Sequence, residues 1–343
     1  MADADHAPSD ALIQLYRAWG EGGAGLIITG NVMVDARAMT GPAGVVLEDD
    51  RQLDRFQAWA EVARASGAQV WMQINHPGRQ MPVSMRQETV APSAIALDLG
   101  RQSGMFPVPR AMTADEINDV VRRFATTSAL AEHAGVTGVE IHAAHGYLVS
   151  QFLSPLANHR TDRWGGNLGN RARLLLDIVR AVRAAVSPGF AVAVKLNSAD
   201  FQRGGFSPED ARRVVALLAP LGVDMVELSG GSYEAPAMME ASRDERTLAR
   251  EAYFLEFARD IAAVATMPVM VTGGIRRRAV AEQVVDSGVA MAGIATAIAI
   301  QPDLPERWRQ GPDDVPTLKP ITWKSKALAS RRTCRRRAIS LRG

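Results

Sequence analysis

The chain has a single cysteine, Cys334, among its 343 residues. One thiol excludes an internal disulfide, a cysteine-ligated iron–sulfur cluster and a Cys-type zinc site, and it suits a reducing, cytoplasmic setting. No run of about twenty apolar residues occurs, so no membrane span is expected. The opening Met1-Ala-Asp-Ala-Asp-His-Ala-Pro8 is acidic and has no apolar core, so it does not read as a signal peptide. Acid is missing from one stretch: Lys324 to Gly343 holds eight Lys or Arg and no Asp or Glu, leaving 31 bases against 37 acids in residues 1–323. The net charge of +2 thus hides an acidic body with a basic tail, residues 313–343. Such a run can meet nucleic acid or anionic lipid. It has little aromatic content for stacking on bases, so it reads as a solvated end and no nucleic-acid partner is expected.

What is present is ample core, with 47% hydrophobic residues, and a recurring phrase: helix, Gly-containing turn, short apolar strand. The phrase occurs at Gly25-Leu-Ile-Ile-Thr29, Gly67-Ala-Gln-Val-Trp-Met-Gln73, Gly138-Val-Glu-Ile141, Gly189-Phe-Ala-Val-Ala-Val-Lys195, Gly222-Val-Asp-Met-Val-Glu-Leu228, Pro268-Val-Met-Val-Thr272 and Gly288-Val-Ala-Met-Ala-Gly-Ile294. Helical stretches lie between, as at Asp115–His133 after Thr113, Asn170–Val186, and Ser207–Leu218 opening Ser-Pro-Glu-Asp. Apolar strands alternating with helices predict a parallel sheet covered on both faces. Their even spacing, without a Gly-rich dinucleotide fingerprint, favours an α/β (β/α)₈ barrel, a TIM barrel, over a doubly wound sheet. Seven strands are countable, and the helix Ser9–Trp19 comes before the first of them. A barrel lacking one stave exposes two edges, so residues 1–312 are expected to be an N-terminally truncated barrel.

The most informative segment is His142-Ala-Ala-His145-Gly-Tyr147-Leu-Val-Ser-Gln-Phe-Leu-Ser-Pro155, followed by Asn158-His-Arg-Thr-Asp162-Arg-Trp-Gly165-Gly166-Asn167. It follows an apolar strand, which gathers two imidazoles and a phenol at a strand's carboxyl end, where barrels of this kind carry chemistry. These groups can hold a carbonyl oxygen and hand over a proton. The competing readings are packed, satisfied histidines, or a two-histidine metal site, for which no third ligand is evident. Lys195 ends an otherwise apolar strand, an expensive place for a cation; a buried ion pair is the plain alternative. Gln73 also ends a strand, and Gly273-Gly274 and Gly293-Ile-Ala-Thr296 follow strands in loops whose N–H groups can bind an anion.

These motifs, His-x-x-His-Gly-Tyr, Gln-Phe-Leu-Ser-Pro, Asn-x-Arg-Thr-Asp-x-x-Gly-Gly and Asn170-Arg171-x-Arg173, resemble the old yellow enzyme family of FMN-dependent NAD(P)H:flavin oxidoreductases, from about Ser9 to Gly311. The resemblance implies an FMN-binding (β/α)₈ barrel that passes hydride from NADH or NADPH, through the flavin, to an α,β-unsaturated carbonyl or similar electron-poor alkene. It implies that His142 and His145 hold the carbonyl oxygen and Tyr147 protonates the neighbouring carbon. It places Gln73 on the flavin pyrimidine edge, Lys195 beside flavin N1 and O2, Asn31 near the ring, and Gly273, Gly274, Gly293 and Thr296, with Arg276, around the phosphate. Many members carry arginine where Thr296 stands, and often arginine in place of Lys195. Asp162, Arg163 and Asn170 to Arg173 read as structural. The segment Ser232–Arg250, with Met238 and Met239, is a candidate cover for the substrate. A small-molecule substrate, no metal and a possible homo-oligomer complete the expectations. Longer relatives acting on dienoyl-CoA or amines carry clustered cysteines and a following nucleotide domain, neither of which the sequence shows. The rival readings are a truncated, flavin-deficient, non-catalytic barrel and a metal-dependent hydrolase on the same fold.

Overall fold

The computed structural model describes residues 1–235, 252, 254–311 and 314–316. The basic tail beyond Pro316, and Met238 and Met239 with the rest of their loop past Ala235, lie outside the described residues.

Each of the seven apolar runs forms a strand: β1 (Leu26–Ile28), β4 (Gln69–Asn75), β7 (Gly138–Ala143), β8 (Ala191–Asn197), β9 (Met225–Ser229), β10 (Val269–Thr272) and β11 (Met291–Gly293). All pair in parallel, in the order β1-β4-β7-β8-β9-β10-β11. This is the (β/α)₈ barrel read from the sequence, with seven of its staves described. Among the described residues β1 and β11 are not paired with each other. Two short strands not expected from the sequence, β2 (Val32–Met33) and β3 (Val45–Val46), extend the sheet from the carboxyl end of β4. A separate pair, β5 (Val90–Ala91) with β6 (Arg110–Ala111), lies in the segment after β4.

Four of the described helices begin where the sequence supplies an oxygen acceptor for their free N–H groups. Ser9 caps α1 (Asp10–Glu21) and Asn167 caps α5 (Leu168–Ala185). Thr113 and Glu116 form a reciprocal capping box on α3 (Ala114–His133), and Ser207 and Asp210 form one on α6 (Pro208–Leu218), whose Pro208 sits in the first turn. Helix α2 (Leu53–Arg64) has no side-chain cap and is held by buried Phe56, Trp59 and Ala63. The short α4 (Leu148–Leu153) is buried at every position. Helices α7 (Leu255–Ala262), α8 (Arg278–Asp286) and α9 (Leu304–Gln310) complete the described set. Arg307 and Trp308 of α9 tie back Asp314.

Strand parity builds the barrel interior in storeys, because alternate residues of a strand face the same side. Leu26 and Ile28, Trp71, Ala193, Met225, Met270 and Met291 pack together as an apolar floor. One step along the same parity stand Gln73, Glu140, Lys195 and Glu227; a further step brings Asn75, His142, Asn197 and Ser229. Gly138 belongs to this arrangement. A Cβ there would stand 2.7 Å from Trp71 Cδ1 and 2.7 Å from Ala191 Cβ, so the strand passes only because no side chain is present.

Candidate active site

The carboxyl end of β7 turns sharply. His145 adopts a left-handed φ of 62° and Gly146 one of 75°, a conformation that costs a non-glycine residue free energy and persists where the surroundings hold it. Asn197 Oδ1 accepts from His145 N at 3.0 Å, and Gln80 Nε2 donates to the His145 carbonyl at 3.1 Å. The turn delivers Tyr147 to the N-cap of α4, where Leu148 N donates to the His76 carbonyl and Gln151 N to the Tyr147 carbonyl.

Three rings therefore meet. The His142 and His145 centroids are 5.0 Å apart, and the Tyr147 ring lies 4.8 Å from His142 at 88°. His142 Nδ1 accepts from Ala144 N at 3.2 Å, which fixes the ring proton on Nε2 and makes that atom a donor. His145 Nε2 lies 2.7 Å from Ser229 Oγ, a hydroxyl able to give or take the bond. Burial, with the Lys195 charge nearby, drives the His142 pKa well below the ordinary imidazole range. Burial, then His142 and Lys195, does the same to His145. Both rings are neutral N–H donors. Burial, reinforced by Tyr233, raises the Tyr147 phenol well above its usual value, so it holds its proton. A buried pair of neutral donors with a protonated phenol is an arrangement that can stabilise an oxygen as it gains charge and deliver a proton alongside.

Asn31, after β1, reaches this group: its Nδ2 donates to the Tyr147 oxygen at 3.5 Å, while its buried Oδ1 has no partner. A cavity of about 350 Å³ adjoins it, lined by Gly30, Asn31, Tyr16, Trp59 and the 40–45 loop. None of Gln73, Lys195, Gly273, Gly274 or Gly293 lines that cavity. Gln73 sits lower in the barrel and donates from Nε2 to Glu140 Oε1 at 2.6 Å. Lys195 is in register with His142 on one side and Glu227 on the other, and its Nζ donates to Glu227 Oε1 at 2.6 Å. The ion pair weighed as the plain alternative for Lys195 is thus present. Burial disfavours its charge, yet Glu227 and Glu140 together raise its pKa. Burial, with Glu227 beside it, raises the Glu140 carboxyl well above the carboxylate range.

The glycine loops stand apart from these groups at the top of β10 and β11. Thr272 and Gly293 are register partners, and Gly273 and Gly274 follow at φ of 122° and 75°. Thr296 lies in the turn after β11, half-buried. The Asp162 to Arg173 motif is bound into its own loop. Arg160 pairs with Asp162, and Arg163 stacks 4.1 Å over Trp164. Asn170 and Arg171 donate to the Gly165 and Gly166 carbonyls, and Arg171 also reaches Asp210. Among the described residues no group of three or more His, Cys, Asp or Glu is arranged to hold a metal ion.

Sequence reasoning missed Glu140, Glu227, Asn75, Asn197 and Tyr233. The first two carry the signal used for Lys195, a charged residue inside an apolar strand. Asn75 is fully buried with both amide atoms unpartnered. Tyr233 lies in a loop whose fold is not written in its residues.

The comparisons with known proteins identify the family. Residues 1–314 match the NADH:flavin oxidoreductase / NADH oxidase family, and the chain belongs to that FMN-dependent family. It is 40% identical over 279 residues to the NADH-dependent flavin oxidoreductase nadA of Aspergillus parasiticus, covering 79% of this chain and 63% of that protein. It is 32% identical over 317 residues to the NADH oxidase of Thermoanaerobacter brockii, covering 91% of this chain and 47% of that one. The chain therefore spans less than two thirds of the length of either relative. Among solved structures, an old yellow enzyme homologue from Zymomonas mobilis superposes with a TM-score of 0.76 at 25% identity, covering 93% of this chain and 88% of the other. A 2-naphthoyl-CoA reductase complex superposes with a TM-score of 0.84 at 25% identity, over 92% of this chain and 49% of that one.

Proposed function

We propose that this chain is the barrel of an FMN-dependent oxidoreductase that uses NADH to reduce an alkene conjugated to a carbonyl. The observation that carries the reading is the meeting of two neutral imidazoles and a protonated phenol at one strand end, in a family defined by flavin chemistry.

The residues fit the cofactor. Asn31 offers a buried acceptor without a partner beside the phenol. Gln73 has a second amide hydrogen, and the Lys195 ammonium has two N–H donors beyond the one given to Glu227. Gly273 and Gly274 follow β10 beside β11, in backbone geometry that can turn N–H groups toward a phosphate, with Gly293 and Thr296 on the neighbouring strand and turn. FMN, when bound, supplies the hydride carrier between NADH and the alkene.

The chain's own residues do the rest. His142 Nε2–H and the His145 ring hold the substrate carbonyl oxygen, and their grip strengthens as that oxygen gains charge. Tyr147 keeps its proton until the adjacent carbon needs it. Burial keeps water from competing for the same donors. We further take the enzyme to act in the cytoplasm, on a small molecule.

Tyr147→Phe tests this. General acids contribute roughly 10²–10⁴-fold, so the variant reduces a cyclic enone slower by that order while oxidising NADH at the wild-type rate. Equal losses in both half-reactions remove Tyr147 as the proton donor. Purified protein with no flavin absorbance band returns the reading to a non-catalytic barrel.

A further inference from the structure

Once Tyr147 has given up its proton, its oxygen is left charged inside a site where Tyr147 is only 7% exposed. That oxygen must recover a proton before another turnover, and so little exposed surface favours a route through a neighbouring group. Among the described residues one hydroxyl touches it: Tyr233 Oη lies 3.2 Å away, with the two rings 6.1 Å apart at 71°. The Tyr147 oxygen also receives Asn31 Nδ2, but an amide hydrogen of that kind is not transferred. Tyr233 itself is half-buried, with one side against Phe106 at 5.9 Å.

The described part of the loop carrying Tyr233, up to Ala235, is anchored by several polar contacts. Ser232 Oγ accepts from Glu234 N and Ala235 N. Glu234 bridges Arg79 Nη2 at 2.5 Å and Asp98 N at 2.9 Å, and Arg79 Nη1 donates to the Ala96 carbonyl at 3.1 Å. Three loops are thus locked together around one ion pair, whose Arg79 and Glu234 side chains are 7% and 13% exposed. Ser232 Cβ stands 3.0 Å from where a side chain on Gly146 would begin, so the loop presses on the turn that carries Tyr147. These contacts fix the backbone on both sides of Tyr233.

We propose that Tyr233 is a positioning and relay residue that returns a proton from solvent to Tyr147 after each turnover. The proposal rests on the reading of Tyr147 as the proton donor. The balance is simple. The Tyr147 O–H bond breaks as a C–H bond forms on the substrate. The Tyr233 O–H proton then moves to the Tyr147 oxygen, and Tyr233 takes one from water. Each turnover consumes one solvent proton at this pair, and nothing is oxidised or reduced by it.

The test separates one turnover from many, in FMN-loaded protein with NADH and cyclohexenone. In Tyr233→Phe, Tyr147 starts protonated, so the first turnover by stopped flow runs at the wild-type rate. Steady-state kcat then falls by about tenfold, below the range for direct acid–base groups, and its solvent deuterium effect grows. Tyr147→Phe instead loses the first turnover. Equal kcat in wild type and Tyr233→Phe overturns the relay alone. A first turnover left intact in Tyr147→Phe overturns the donor reading, and the relay with it. A readout without flavin is ¹³Cζ NMR of the chain's four tyrosines. Tyr233→Phe shifts the Tyr147 resonance, and an unmoved resonance overturns the hydrogen bond on which the relay depends.

Discussion

The two sides of the barrel mouth are built differently. On the β7–β8–β9 side the strands are five to seven residues long, every residue of β7 and β9 is buried, and charged or polar side chains tie one strand to the next. On the β10–β11 side the strands are four and three residues, β11 is half-exposed at two of its three positions, and the mouth is backbone and glycine. The contrast follows from the work proposed for each side. Proton and oxyanion chemistry needs donors whose pKa is set by burial, which demands a dry, cross-braced wall. A phosphate needs N–H groups near water and tolerates a thin one.

That contrast is breakable in order of expected effect. Lys195→Met leaves Glu227 buried without its cation, and losing one partner of a buried pair costs about 3–5 kcal/mol. Urea unfolding measures it, and a loss under about 1 kcal/mol shows that the polar storey does not act as a unit. Acid comes next. Burial drops His76, whose Nδ1 accepts from Gly78 N, to a pKa of about 4. Its folded pKa lies below its unfolded one, so the unfolded chain binds the proton more readily. The contribution is complete above about pH 6.5 and is lost as pH falls toward 4, worth about 3 kcal/mol at 1.36 kcal/mol per unit. His142 and His145 shift in the same direction for the same cause. Unfolding free energies at pH 7 and pH 5 measure this slope, and equal values at the two show that these histidines are not dry.

Gly138→Ala sharpens the comparison on the braced side. Its Cβ meets Trp71 and the Ala191 backbone and side chain, and overpacking there costs about 1–3 kcal/mol. Gly293→Ala on the thin side meets chiefly the terminal methyl of Met270 at 2.6 Å, a group free to swing away. It costs less than Gly138→Ala because the group in the way can move, while weakening FMN retention measured by fluorescence titration. A larger unfolding cost for Gly293→Ala than for Gly138→Ala reverses the contrast.

The seven barrel strands were legible because short apolar runs alternate with helical stretches, four of which carry their own side-chain cap, and both signals are local. The chemistry of the site was legible only in part. His142, His145 and Tyr147 lie within six residues, so one turn brings them together. Glu140 and Glu227 were passed over because a strand buried on both faces has no alternation to show which way a residue points. The row His142, Lys195, Glu227 exists only through the register of β7, β8 and β9, which barrel geometry sets and no single segment encodes. Tyr233 meets Tyr147 across 86 residues of sequence, through a loop anchored by Arg79, and no spacing rule reaches that far. The short β2 and β3 are two residues each, too brief to carry a period.

Tyr147 sits where a helix begins, its carbonyl engaged by Gln151 and the next amide fixed on His76. The acid's location is therefore inherited from main-chain geometry, and the rim side chains that meet a substrate are not what hold it. Variation in those rims can retune which molecule is accepted while the point of proton delivery stays put. Such a division lets a single scaffold change its diet without relearning its reaction.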